Sequence, residues 1–305
     1  LMPWRSLGHI FTASGQHCWM RSHCSMPFAE PLVDTRCRIW FATRNEANLS
    51  HIAWVEIDLR EPGKILALSH IPALSPGARG SFDELGAMNS WIIKHGTQNW
   101  HYYIGWSDGG AKPFHVAIGL AIQKGDQISR HYSSPILDRS HADPYFVSTP
   151  CVIKIKTIWH LWYLSGTGWS DTNTIKARYK IAHATSKDGI IWIPDTDTDT
   201  NLIFTRDDEI ACARPSVIFE KGIYRMWFCV RGDTWPYRLA YAESLDGRNW
   251  NRRDNQVTFL NRPEHWDNEM RAYPHVFDQA GQRWMVTAGN GFGKEGMGLA
   301  VQESY

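Results

Sequence analysis

No stretch of this chain approaches the run of about 18 apolar residues that spans a bilayer, and no sustained helical periodicity runs through it. A membrane-spanning helix and a helical bundle are both excluded. Neither sign of charge is in excess: 32 Lys and Arg stand against 31 Asp and Glu, so nothing steers the chain toward nucleic acid or an anionic membrane. Cys18, Cys24, Cys37, Cys151, Cys212 and Cys229 include no Cys-x-x-Cys, and several lie inside apolar runs. They read as small buried hydrophobes in a reducing compartment, so the Asn48-Leu49-Ser50 sequon carries little meaning. The first residues lack an apolar targeting segment with a cleavage site, and a cytoplasmic protein is expected. His23, His95, His115, His141 and His275 show no ligand spacing, and no metal or other cofactor is expected.

What the chain does contain is a repeat. An Asp stands seven residues before a Pro and an apolar run at Asp143–Pro150, Asp208–Pro215 and Asp267–Pro274, and with Ser90 in the Pro place at Asp83–Ser90. The Asp residues follow one another at intervals of 60, 65 and 59. Counting back from Pro27 gives a fifth, eroded copy at Met20–Pro27 that has no carboxylate. Even spacing to the end of the chain favours one repeat domain over residues 1–305, with copies starting near 20, 83, 143, 208 and 267. Each copy holds short runs rich in β-branched and aromatic residues between Gly, Asp and Asn. The third, for example, offers Pro150 to Lys154, Trp159 to Leu164, Tyr179 to Ala184 and a last strand opened by Trp192. Ser-x-Asp-Gly-x-x-Trp occurs at 186–192 and 244–250, a hairpin signal in which Gly accepts positive φ.

The expected fold is all-β: a five-bladed β-propeller of four-stranded antiparallel blades. The last copy has three strands, so Leu7–Phe11 is expected to pair beside Gly298–Val301 and complete it, which removes an exposed edge.

In such a meander, the segment leading into strand one and the loop between strands two and three share one face, and the Asp-Gly turns lie on the other. The shared face then gathers Asp83, Asp143, Asp208 and Asp267, the acid Glu269, the arginines Arg44, Arg214, Arg231 and Arg271, and Trp106, Trp169 and Trp235 in Gly, Ser and Asp contexts. Asn89 and Tyr273, in the same lead-in segments, join the substrate-binding candidates. The DTDTDT run at 195–200 reads as a solvated loop. Carboxylates beside aromatic platforms suit carbohydrate, because a sugar's apolar face lies on an indole while its hydroxyls pair with polar side chains. Glycosidic cleavage needs one carboxylic acid and one carboxylate, and Asp83, Asp143, Asp267 and Glu269 are the candidates, with Trp106 and Trp169 as platforms. An Asp ahead of a strand also serves as a turn cap, and Arg214 and Arg271 also read as salt-bridge partners of Asp208 and Asp267. Trp40, Trp91, Trp159, Trp162, Trp192, Trp227 and Trp250 read as core.

These features resemble the five-bladed propeller glycosidases, glycoside hydrolase families 43, 32 and 68, and the family 130 phosphorylases. The carrying residues are Asp143-Pro144, the Ser-x-Asp-Gly-x-x-Trp turns, and His101 to Trp106. Gly80 to Asp83, Asp143 to Pro150, Arg214 to Val217 and Trp266 to Met270 resemble, more strongly still, uncharacterised propellers of bacterial surface-polysaccharide loci. The resemblance covers essentially the whole chain. The family 43 pattern implies acids on the first three blades, and here Met26 stands where the first would be. That departure leaves open a hydrolase using other blades, a sugar transferase or phosphorylase holding phosphate or a sugar nucleotide with Arg44, Arg214, Arg231 and Arg271, or a propeller that only binds sugar.

Overall fold

The computed structural model describes residues 3–125, 127–170, 174–196 and 205–303. Asp171 and residues 197–204, in two of the loops singled out above, lie outside the described residues. The β-branched and aromatic runs form strands throughout. β1 (Trp4–Phe11) precedes an eight-stranded sheet of β2 (Ser22–Pro31), β3 (Arg36–Arg44), β4 (Ser50–Asp58), β5 (Ile65–Leu68), β6 (Gly86–His95), β7 (Gln98–Gly109), β8 (Lys112–Lys124) and β9 (Gln127–Arg130). A second comprises β10 (Val147–Ile155), β11 (Ile158–Trp169), β12 (Ala177–Ser186), β13 (Ile193–Pro194), β14 (Glu209–Glu220), β15 (Ile223–Gly232), β16 (Arg238–Ser244) and β17 (Asn251–Arg252). β18 (Ala272–Gln279), β19 (Gln282–Ala288) and β20 (Met297–Gln302) form the last sheet with β1, which runs antiparallel to β20 and sets His9 opposite Gly298. The edge pairing expected for Leu7–Phe11 is therefore present.

Each eight-stranded sheet consists of two four-stranded antiparallel meanders. A single parallel bridge joins them, Ser50 to Gly86 in the first sheet and Tyr179 to Ala211 in the second. The sequence expects separate blades; the bridges fuse them pairwise because the third strand of one meander begins beside the first strand of the next. The leading strands β2, β6, β10, β14 and β18 lie against one another in turn, and β18 returns to β2.

Large aromatics fill the space between meanders. Trp40, Trp91, Trp159, Trp162, Trp192, Trp227 and Trp250 are all buried, with Trp100 stacked on Trp159 at 5.7 Å and Trp162 edge-on to Trp250 at 6.1 Å. The Asp-Gly turns are structural. Ser186 Oγ and Asp188 Oδ1 accept the turn's own amides, and the turn carbonyl of Gly189 accepts from the Tyr102 hydroxyl at 2.7 Å. Its counterpart Gly247 accepts from Trp162 Nε1 at 2.8 Å. Five cysteines are buried free thiols, and Cys18 is exposed.

All five leading strands break register at the same point. The ladder shifts between Ser25 and Phe28, Met88 and Trp91, Ser148 and Cys151, Ala213 and Ser216, and Ala272 and His275. In four of them a proline, which has no N–H to give to the ladder, stands at the break, and in β6 Ser90 takes its place. The residue before each proline is thrown into a left-handed bulge: Met26 at φ 53°, Thr149 at 43°, Arg214 at 54° and Tyr273 at 55°. For L-residues this conformation costs roughly 1–2 kcal/mol each, and for a β-branched Thr it is an outlier. Strain of this kind persists where the surroundings fix it, and it gathers at functional sites.

Candidate functional site

The bulges converge on one end of the leading strands, where a pocket of about 380 Å³ opens. Met26, Thr149 and Tyr273 line it directly from the bulges, Ser148 from the start of β10, Phe146 from the residue before it, and Arg44 from the end of β3. Trp106 of β7, Phe114 of β8, Tyr179 of β12, Tyr237 and Phe292 complete an aromatic wall. Trp106 can stand here because its neighbour is Gly86, where a Cβ would fall 2.2 Å from Trp106 Nε1. Its indole N–H has no partner among the described residues.

The other two bulge residues form the floor. Asn89 and Arg214 are 1% and 0% exposed. Asn89 Nδ2 donates to the Met26 carbonyl at 3.4 Å. The Arg214 guanidinium donates to the Ser90 carbonyl at 2.6 Å, Ser90 Oγ at 2.9 Å and the Pro27 carbonyl at 3.0 Å, and its amide reaches Thr149 Oγ1 at 3.3 Å. No carboxylate faces it among the described residues, and burial pushes its pKa down to about 10. The alternative pairing of Arg214 with Asp208 does not form. The bulge turns Arg214 inward, while Asp208 accepts from Trp235 Nε1 at 2.7 Å.

Behind the wall, the hydroxyls of Tyr179 and Tyr237 hydrogen-bond to each other. Arg231 Nε donates to Tyr179 at 3.3 Å, its Nη2 donates to the Ala177 carbonyl at 3.0 Å, and its guanidinium lies over both tyrosine rings. Burial holds the phenols of Tyr237 and Tyr273 far above the ordinary tyrosine range. At the rim, Arg44 Nη1 donates to Asn48 Oδ1 at 3.0 Å. Burial, then Arg44 and Lys294, press the nearby His23 down to about 4, which keeps the ring neutral at pH 7.

None of the acids proposed from the sequence lines this pocket. Asp83 accepts from Arg130 Nε at 2.7 Å, Ser81 Oγ at 2.8 Å and the Tyr103 hydroxyl at 2.9 Å. Asp143 is 1% exposed and accepts from the Tyr163 hydroxyl at 2.9 Å; its pKa is raised by burial, with Ser165 and Tyr163 opposing. Asp267 is paired with Arg271, whose Nε lies at 2.9 Å. Glu269 is exposed. The three loop tryptophans, Trp106, Trp169 and Trp235, are all partly buried. Trp169 packs behind the wall on Phe114 and Phe146, and Phe146 fits there because Gly166 of β11 has no Cβ, which would fall 2.7 Å from its ring. Thus Arg44, Trp106 and Tyr273 come together in the pocket, Asn89, Arg214, Arg231 and Trp169 support it, and Arg271 serves Asp267. Tyr179, Tyr237, Phe146 and Thr149 were not singled out in the sequence. A signal existed: Tyr179 and Tyr237 are 58 residues apart, the same step as the Ser-x-Asp-Gly turns. A larger groove of about 800 Å³ lies along β3, β4, β7 and β9, away from the bulges.

No family model matches the chain. Uncharacterised proteins from two strains of Mycobacterium tuberculosis are 38% identical to it over 304 residues, 99% of this chain and 100% of theirs. The chain belongs to their family. Among solved structures, a glycosyl hydrolase from Bacteroides ovatus superposes with a TM-score of 0.74 at 11% identity, over 98% of this chain and 93% of that one. A thermostable family-43 glycoside hydrolase superposes with a TM-score of 0.67 at 13% identity, over 93% of this chain and 90% of that one. At these identities the likeness is one of fold, and the fold is that of the β-propeller glycoside hydrolases. Among the described residues no helix is long and apolar enough to cross a membrane.

Proposed function

We propose that the protein is a five-bladed propeller that binds a carbohydrate in this pocket without hydrolysing glycosides through a carboxylate pair of its own. The five mutually adjacent leading strands, with β1 completing the last sheet, support the blade count. The observation that carries the function is the lining: Trp106, Phe114, Tyr179, Tyr237 and Tyr273 beside Ser148, Thr149, Asn48 and Arg44, with no carboxylate among the described residues. Aromatic faces and hydroxyl or amide groups are what a sugar ring needs. An acid to protonate the leaving oxygen and a base to activate water are what hydrolysis needs, and Asp83, Asp143 and Asp267 are engaged in braces instead. A sugar transferase or phosphorylase is the second reading, favoured by Arg44 on the wall and Arg231 behind it, because such an enzyme uses a substrate that brings its own charged leaving group or nucleophile.

The test is a panel of mono- and oligosaccharides, followed by saturation-transfer NMR for binding and by a reducing-end assay for cleavage. Binding that Trp106→Ala weakens, with no reducing ends released, is expected. Hydrolysis that disappears in a folded Asp143→Asn or Glu269→Gln variant would restore the glycosidase reading.

A further inference from the structure

Buried arginines in this protein are neutralised almost everywhere. Arg38 meets Glu56 at 2.7 Å, Arg130 meets Asp83 at 2.7 Å, Arg225 meets Glu220 at 3.2 Å, and Arg252 meets Glu209 at 2.7 Å. Arg283 meets Glu220 at 2.9 Å, and Arg271 is paired with Asp267. Three of the buried and half-buried arginines have no carboxylate within ion-pair distance among the described residues, and all three border the central pocket. Arg44 lines it, Arg231 sits directly behind Tyr179 and Tyr237, and Arg214 lies beneath Thr149.

The contrast has a physical meaning. A desolvated charge is tolerated when it is paired or hydrogen-bonded, and the chain supplies a carboxylate to each buried guanidinium except where the pocket is. Tyrosine hydroxyls, carbonyls and Asn48 solvate these three without cancelling their charge. The positive field of all three is therefore left to fall on the cavity, whose lining among the described residues holds no negative group. Arg44 spends one N–H on Asn48 Oδ1, and a guanidinium has five, enough left for a bidentate contact. We infer that the pocket holds an acidic carbohydrate, with the anionic group of the sugar on Arg44. This rests on the carbohydrate reading above and narrows it. A carboxylate, as in a uronic acid, and a phosphate, as in a sugar phosphate, share the chemistry that Arg44 recognises.

The experiment measures affinity by isothermal titration for a matched panel: neutral hexoses, the corresponding uronic acids, the corresponding sugar phosphates, and inorganic phosphate alone. Acidic members are expected to bind about ten- to a hundredfold more tightly than their neutral counterparts, the range for a hydrogen bond to a charged group. The uronic-acid and sugar-phosphate arms separate the two sources of charge. Arg44→Gln is expected to remove most of the preference for the acidic members, leaving the smaller part due to Arg214 and Arg231, and Arg44→Lys to retain more of it, each checked for an unchanged melting temperature. Equal binding of neutral and acidic sugars overturns the inference and leaves the carbohydrate reading standing. Inorganic phosphate binding with no sugar contribution, or no binding anywhere in the panel, overturns both. Should Arg44→Gln fail to fold, loss of the acidic preference on raising the salt concentration from about 0.05 to about 0.5 M is the second readout, and a preference indifferent to both salt and the Arg44→Lys change counts against the proposal.

Discussion

Tyr163 donates its hydroxyl to Asp143 across 2.9 Å, and Tyr103 makes the same bond to Asp83 one repeat earlier. In both cases the phenol lies 20 residues after the acid, so a lead-in carboxylate is braced by the second strand of its own meander. This is a structural use of the repeat, and it has a measurable pH signature. Burial raises the pKa of Asp143 above its ordinary value, so the folded state holds that proton more tightly than the unfolded chain does. The stabilisation is complete below the unfolded pKa and is lost as pH rises through the folded one. An amide in place of this carboxyl cannot titrate. The stability advantage of wild type over Asp143→Asn is therefore expected to be largest in acid and to shrink toward neutrality, as followed by urea unfolding of both proteins at several pH values. An advantage that grows with pH would reverse the assignment.

Asp267 and Arg271 behave differently because their charges meet. The Asp267 side chain is 1% exposed and that of Arg271 is 13% exposed, with the guanidinium 3.8 Å from the centroid of Phe259. Removing one partner leaves a desolvated charge, and Asp267→Ala is expected to cost about 3–5 kcal/mol. Replacing both, as Asp267→Leu with Arg271→Met, is expected to recover part of it. Denaturant midpoints of the variants decide the point; a double variant no better than Asp267→Ala would show that the pair supplies more than mutual neutralisation.

Trp162 ties its own meander to the Asp-Gly turn of the next one. It is 0% exposed, lies edge-on to Trp250, and donates Nε1 to the Gly247 turn at 2.8 Å. Trp162→Ala is expected to cost about 3–5 kcal/mol through cavity and lost transfer energy, with a further penalty for the orphaned carbonyl. Trp162→Phe fills much of the cavity and isolates that last contribution. Calorimetric melting temperatures of the two variants separate the contributions.

Much of this architecture is legible in the sequence, since the Asp-to-Pro frame marks the leading strands, and the Asp-Gly turns and large tryptophans mark outer hairpins and core. Side-chain direction is not legible there. Asp83 and Asp143 have the same residue type whether they face a sugar or a tyrosine, and only the fold decides. Arg214 reads as a partner for Asp208 because they are close in the chain, yet the bulge before Pro215 turns it to the floor of the pocket. Tyr179 and Tyr237 stand at the beginnings of third strands and so look like core aromatics; their shared 58-residue step marks them as equivalent, and their role becomes visible once neighbouring meanders bring the two hydroxyls together.

Ala280 tests the turn chemistry. It precedes Gly281 at the tip of the β18–β19 hairpin, exposed, with φ 52° followed by 73°. That succession is the type I′ pattern, for which Asn-Gly is preferred. Ala280→Asn is expected to stabilise the protein by about 0.5–1 kcal/mol, because Asn tolerates the left-handed region better than Ala. The shift in urea midpoint is the measure, and no gain would mean that the hairpin tip is not strained.

Arg214 distinguishes field from contact. It is fully buried beneath Thr149, so a ligand in the pocket cannot touch it, yet its charge acts through a medium that screens poorly. Arg214→Met keeps much of the volume and removes the charge. An acidic sugar is then expected to bind several-fold more weakly, less than the loss in Arg44→Gln, while the affinity ratio between acidic and neutral sugars falls. Because the source is buried, that fall should be nearly the same at low and high salt, whereas the contribution of the half-buried Arg44 at the rim is damped by salt. Titrations of both variants at two ionic strengths provide the comparison. If Arg214→Met weakens neutral and acidic sugars by the same factor, the loss comes from a collapsed floor, and the charge of Arg214 plays no part in recognition.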